Sequence, residues 1–220
     1  MRETARILVA GEGGQGVQSI ADILAHGAYL QGKEALYIPN FGIEQRGGVS
    51  LAFVQIAGAP IGSPKFVRGD LVMALSERAI DRSRQYVSRE ETLFVYDSSL
   101  IQPPEVADRA VGLQVYDTVA PEFQAREEGS REKESLALLP AAKKTLGIPA
   151  LDLARRELHP RVFNMVVLGA AVALTEVVRE EFIHEALEAK LGDKFAKNPD
   201  LKDLNHRALT RGRELALQGR

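Results

Sequence analysis

Arg6-Ile7-Leu8-Val9-Ala10, running into Gly11-Glu12-Gly13-Gly14-Gln15-Gly16-Val17, decides the fold. A short apolar run of strand type passes into a glycine-rich turn, and a helical pattern opens at Val17. Glycines at 11, 13, 14 and 16 let the backbone turn sharply and let another group come close. The amides at the start of the following helix then form a seat for an anion, usually a phosphate. Gly11, Gly13 and Gly16 also fit the G-x-G-x-x-G spacing in the strand-to-helix setting where dinucleotides bind. A dinucleotide site wants an acid about 20 residues further on, at the end of the second strand, to hold the ribose. Here that strand, Ala35-Leu36-Tyr37-Ile38, ends in Pro39-Asn40, and the nearest acid, Glu34, precedes it. A nicotinamide or flavin site therefore loses ground to two other readings. One is a corner for a pyrophosphate or a neighbouring subunit; the other is a tight turn that serves packing alone.

Outward from this corner, strands and helices alternate. Val17–Gln31 places Ile20, Ile23, Leu24 and Ala28 at helical spacing. Val49–Ile56 is apolar on both alternating faces, as for a strand buried on both sides. Leu71–Leu75 is a further buried strand. Ser76 caps a helix expected over Glu77–Tyr86, and Thr92–Tyr96 and the weaker Val111–Tyr116 are further strands. Glu122–Glu134 mixes charges densely and reads as solvated. Ser135–Thr145 reads as partly helical, interrupted at Pro140. Helices are expected over Leu151–Leu158, Val162–Val178, Glu181–Leu191 and Asp200–Leu217. The alternation predicts a three-layer α/β/α, Rossmann-like open sheet, mostly parallel, with a helical C-terminal region. A single domain over 1–220 is expected, with 113–146 as a charged insertion and 150–220 as its helical part.

A second glycine cluster, Phe41-Gly42-Ile43-Glu44-Gln45-Arg46-Gly47-Gly48, follows the second strand. By the strand-end rule it should share an edge of the sheet with the first. An arginine among glycines suits a phosphate or carboxylate, because its fork is planar and always charged. Its plainer role is a loop residue paired with Glu44. The candidate binding residues are therefore Gly11, Gly13, Gly14, Gln15, Gly16, Arg46, Gly47 and Gly48. Asp97 ends a strand and is a weaker candidate, its plainer role being a turn cap.

These motifs resemble those of the gamma subunit, or gamma domain, of the 2-oxoacid:ferredoxin oxidoreductases, which act on pyruvate, 2-oxoglutarate, branched-chain 2-oxoacids or indolepyruvate. Gly11–Gly16 meets the family's Gly-x-Gly-Gly-Gln-Gly in full. Phe41–Gly48 resembles its aromatic-Gly-Pro-Glu-x-Arg-Gly-Gly, with Ile43 in place of proline. Asn164-Met165-Val166-Val167-Leu168-Gly169-Ala170 is similar to its Asn-Met-Val-x-Leu-Gly-Ala helix. The likeness spans residues 6–100 and 147–217. It implies oxidative decarboxylation of a 2-oxoacid to an acyl-CoA, with electrons passed to ferredoxin. Thiamine diphosphate, magnesium and iron–sulfur clusters would belong to alpha and beta subunits and a ferredoxin-like delta subunit or domain. This chain would assemble with them and help to hold coenzyme A. It would be inactive alone, and a homodimer when isolated.

Composition agrees. With 28 basic and 30 acidic residues, the net charge of −2 argues against a broad nucleic-acid or membrane surface. Without cysteine the chain holds no cysteine-ligated cluster, disulfide or catalytic thiol. No apolar run approaches the ~20 residues of a membrane span, and Met1-Arg2-Glu3-Thr4 leads directly into a strand, so a cytoplasmic protein is expected. His26, His159, His184 and His206 show no metal spacing and read as surface or capping residues. A catalytic acid, base or metal site is not expected. Three classes stay open: an oxidoreductase subunit, a free-standing nucleotide- or CoA-binding module, and a structural assembly subunit.

Overall fold

The computed structural model describes residues 4–41, 48–100 and 139–219. β1 (Ala5–Glu12), α1 (Val17–Leu30), β2 (Glu34–Asn40), β3 (Val49–Ala57), β4 (Leu71–Ala74), α2 (Glu77–Ser83) and β5 (Leu93–Asp97) come first. β6 (Lys144–Ile148), α3 (Ala150–Glu157), α4 (Phe163–Thr175), α5 (Glu180–Lys197) and α6 (Pro199–Gln218) follow. The sheet runs β2-β3-β1-β4-β5-β6. β1, β4, β5 and β6 are mutually parallel. β3 is antiparallel to both β1 and β2, so it alone of the six points the other way.

β1 shows why the sheet is covered on both faces. Ile7 and Val9 enter one apolar cluster, with α1, α3 and α4; Leu8 and Ala10 enter the other, with Ala79 and Ile80 of α2. All four are fully buried, as the period-two geometry of a strand between two helical layers demands. α5 and α6 lie outside on the α1 side. α6 meets α4 at backbone distance: a Cβ on Gly169 would lie 2.0 Å from the Leu209 carbonyl oxygen, and one on Gly212 would lie 1.9 Å from that of Val166. Only glycine fits at these two crossings.

α1 carries the chain from β1 toward β2 over one face, and α2 carries it from β4 toward β5 over the other. The winding therefore reverses between β1 and β4. Ligands in open α/β sheets gather at such a reversal, beyond the carboxyl ends of the strands.

Two expectations change. The Thr145 end of the expected partial helix is strand: Lys144–Ile148 pairs with β5 as an edge strand, and Leu139–Lys143 is not helical. Its five residues bury only Leu146 and Ile148, a signal too short to compete with the helix-forming residues before it. Glu77–Tyr86 is α2 followed by a 3-10 turn at Arg84–Tyr86. The expected strand Val111–Tyr116 lies outside the described residues. Among those described, no helix is long and apolar enough to cross a membrane.

Candidate functional site

The first glycine cluster is the corner between β1 and α1, at the reversal point. Gln15 N–H donates to the Glu12 carbonyl at 3.1 Å, closing a four-residue turn. Gly14, its third residue, has φ +91°, as a type II turn requires. Gly16 follows at φ +73° and begins α1. It has no side chain with which to cap the helix, and α1 carries no acid in its first turn. The partial positive charge of the helix end therefore meets no capping side chain and no first-turn acid. Gly13 and Gly14 are exposed; Gly11 is buried, and a Cβ there would meet Val17 Cγ2 at 2.7 Å.

Gln15 braces this corner. Its Oε1 accepts from Glu12 N–H at 2.6 Å and its Nε2 donates to the Leu75 carbonyl at 2.7 Å. The side chain ties the turn to the end of β4 and has little left for a ligand. Asn164, on the first turn of α4, backs the corner from below. A Cβ on Gly16 would lie 2.7 Å from Asn164 Nδ2. Asn164 is half-buried beside the glycine turn, which joins two motifs 148 positions apart in sequence (Gly16 to Asn164). Sequence reasoning did not reach Arg78. It sits in the first turn of α2 with Nη1 3.8 Å from Glu12 Oε2, adding a cation to the rim. Its signal was available: a helix following a parallel strand starts at the carboxyl edge.

The second cluster begins at the same edge. Asn40 pairs with Leu51, and Val49 pairs with Glu12 across β3 and β1. Gly48 therefore adjoins the first corner, and Phe41, on the other side of the loop, is 66% exposed. Arg46 and Gly47 lie outside the described residues, as does Glu44. β3 also separates β1 from β2. A ribose partner at the end of β2 would stand two strand spacings from the glycine turn, roughly 10 Å rather than 5 Å. That geometry, with Asn40 at the strand end, disfavours a dinucleotide.

Asp97 closes β5 and is only 4% exposed. Its Oδ1 accepts from Ser99 Oγ at 2.7 Å, Ser99 N–H at 3.0 Å and Ala150 N–H at 3.1 Å, and Ser99 Oγ accepts from Asp152 N–H at 3.1 Å. The pair caps α3 across 53 residues, in place of Pro149, which has no capping side chain. Asp97 Oδ2 is buried without a hydrogen-bond partner among the described residues. Burial pushes this carboxyl up to about 6, against the hydrogen bonds from Ser99, Leu151 and Ala150. Its role is a cap, reaching further than a local turn.

The histidines divide. His159 Nδ1 accepts from Arg161 N–H and caps a short turn. His184 and His206, on α5 and α6, stack at 4.6 Å with their Nδ1 atoms 2.5 Å apart. Glu180 and Glu188 flank their outer nitrogens at 3.6 and 3.4 Å. Burial, then the charge of His184, lowers the pKa of His206. Their separation by 22 residues hid this pair from spacing arguments. Among the described residues, no group of three or more His, Cys, Asp or Glu side chains is placed to hold a metal.

The sequence profile described as pyruvate ferredoxin/flavodoxin oxidoreductase matches residues 6–215. The ketoisovalerate oxidoreductase subunit VorA of Methanothermobacter thermautotrophicus is 31% identical over 212 residues, 96% of this chain and 36% of that protein. The chain thus spans about a third of that relative's length. The common gamma subunit of the pyruvate/ketoisovalerate oxidoreductases of Pyrococcus abyssi is 28% identical, covering 85% of this chain and 89% of its own. The structure of 2-oxoglutarate:ferredoxin oxidoreductase from Magnetococcus marinus, with 2-oxoglutarate, coenzyme A and succinyl-CoA bound, superposes with a TM-score of 0.73 at 22% identity. It covers 99% of this chain and 32% of that one, and shares the fold. The profile match along nearly the whole chain shows that this chain belongs to the pyruvate ferredoxin/flavodoxin oxidoreductase family, among relatives that include the gamma subunit shared by pyruvate and ketoisovalerate oxidoreductases.

Proposed function

We propose that this chain serves a CoA-acylating 2-oxoacid:ferredoxin oxidoreductase by holding coenzyme A and by packing against the subunits that carry thiamine diphosphate and the iron–sulfur clusters. One observation carries the reading. An uncapped helix start with two positive-φ glycines lies at the winding reversal of the sheet. Its amides suit the diphosphate of coenzyme A, whose thiol accepts the acyl group. Gln15 and Asn164 hold the turn in shape, and Arg46 is the proposed cation of the second loop. The bound coenzyme A in the Magnetococcus relative supports the choice of ligand. The absence of cysteine leaves cluster ligation to partners. Phe41, exposed beside the corner, favours the second task, contact with a partner subunit.

The test is reconstitution. The isolated chain, given thiamine diphosphate, magnesium, coenzyme A, ferredoxin and a panel of 2-oxoacids, should show no turnover. In the assembled enzyme, Arg46→Ala should raise the KM for coenzyme A roughly tenfold to a hundredfold, the worth of a charge-assisted hydrogen bond. Arg46→Lys should recover part of that, and the melting temperature should hold. An unchanged KM with loss of assembly would make the loop a docking element and leave coenzyme A to the partners.

A further inference from the structure

A cavity of about 400 Å³ lies beside the glycine corner, between the first turns of α1 and α4 and the junction of α5 with α6. Its wall is rich in donors. Arg161 and Lys194 line it, and neither side chain has an ion-pair partner among the described residues. Lys190, also in the wall, is committed to Asp22 of α1. Asp200, the one acid in the wall, sits in the first turn of α6 and serves that helix end. Two cations are therefore left over.

Further features point the same way. Neither α1 nor α4 has a side-chain cap or an acid in its first turn. Ser19 and Asn164 add a hydroxyl and an amide, and the Asn164 amide meets no protein acceptor among the described residues. Asn205, also in the wall, is only 5% exposed. Its Nδ2 donates to the Leu201 carbonyl at 2.7 Å, while its Oδ1 takes no hydrogen bond among the described residues.

We propose that the cavity is a binding site for a phosphomonoester. Arg161 and Lys194 neutralise its charge, since an arginine fork and a lysine ammonium together match a dianion with three free oxygens. Asn164 and Ser19 donate to those oxygens. Asn205 Oδ1, the remaining acceptor in the wall, suits a sugar hydroxyl beside the phosphate. A carboxylate would leave half of these donors without a partner. The site adjoins the glycine turn through Asn164 but takes its charge from Arg161 and Lys194, so it stands whether or not the turn holds a diphosphate.

Two sources of the group are distinguished by two arms of one experiment. In the first, inorganic phosphate is titrated into the full chain by calorimetry, beside Arg161→Gln/Lys194→Gln. Saturable binding weakened at least tenfold in the double variant assigns the cavity to a free phosphate. In the second, coenzyme A and dephospho-coenzyme A are compared in the assembled enzyme. A preference of tenfold or more for coenzyme A, lost in the double variant, assigns it to the coenzyme's 3′-phosphate. Both side chains are exposed, so the melting temperature should not move. Gly14→Val should weaken both coenzymes equally and keep the preference, which separates failure of the turn from failure of the cavity. The proposal falls if neither arm responds, or if phosphate binds and the double variant binds it as well.

Discussion

Replacing Asp97 with asparagine should remove a pH dependence from the stability of the whole chain. The carboxyl is 4% exposed, and among the described residues one oxygen carries three hydrogen bonds and the other none. Burial outweighs the bonds and raises its pKa from 3.8 to about 6. A raised acid binds its proton more tightly when folded. Its contribution is therefore fully present below the unfolded pKa and is lost as pH rises through about 6. A rise of that size is worth about 3 kcal/mol in all. Asparagine keeps the accepting oxygen and never ionises. Urea denaturation of both proteins at pH 4, 5, 6, 7 and 8 gives the difference in unfolding free energy, Asp97→Asn minus wild type. That difference should climb by about 2–3 kcal/mol between pH 4 and pH 7 and then flatten. A flat difference throughout would mean that the carboxyl titrates normally. A falling one would mean that its charge, facing the start of α3, wins over burial. Either result refutes the reasoning.

Gly212→Ala should cost about 3 kcal/mol, because its Cβ meets a backbone oxygen that cannot move aside, lowering the melting temperature by about 6–12 °C. Gly192→Ala is the control: within α5 its Cβ meets nothing within 4 Å, and it should stabilise by about 0.5–1 kcal/mol. Gln15→Ala should cost about 1–3 kcal/mol by freeing Glu12 N–H and the Leu75 carbonyl, and should weaken coenzyme A in the assembled enzyme; full retention of both in melting and KM assays would leave Gln15 without a bracing role. Gly14→Val should cost about 1–3 kcal/mol through its positive φ, read by thermal denaturation.

What could be read in advance depended on range. The first corner was legible because a glycine requirement is local: positive φ at Gly14 and Gly16 leaves a mark at those very positions. The covered sheet was legible because Ile7–Ala10 is apolar at every position. The direction of β3 was not, since Val49–Ala57 looks the same whether it runs with β1 or against it. β6 was missed for its length. Asn164 could be singled out, yet nothing along the chain said that it touches Gly16. The His184–His206 pair and the Asp97–Ala150 cap join residues that only the packed helices bring together.

The order in which the sheet is built has a consequence for the newborn chain. β1 comes first and lies in the middle, and by Asp97 five of the six strands have been made. The helices that finish covering Val9, Met73 and Val95 begin only at Ala150. At translation rates of ~5–20 residues per second, residues 98–149 take about 3–10 s to emerge. For those seconds, among the described helices, α1 alone covers the face that carries Val9, Met73 and Val95. A pause in translation just after Asp97 would lengthen that interval, and with it the time in which the half-covered face can meet other apolar surfaces.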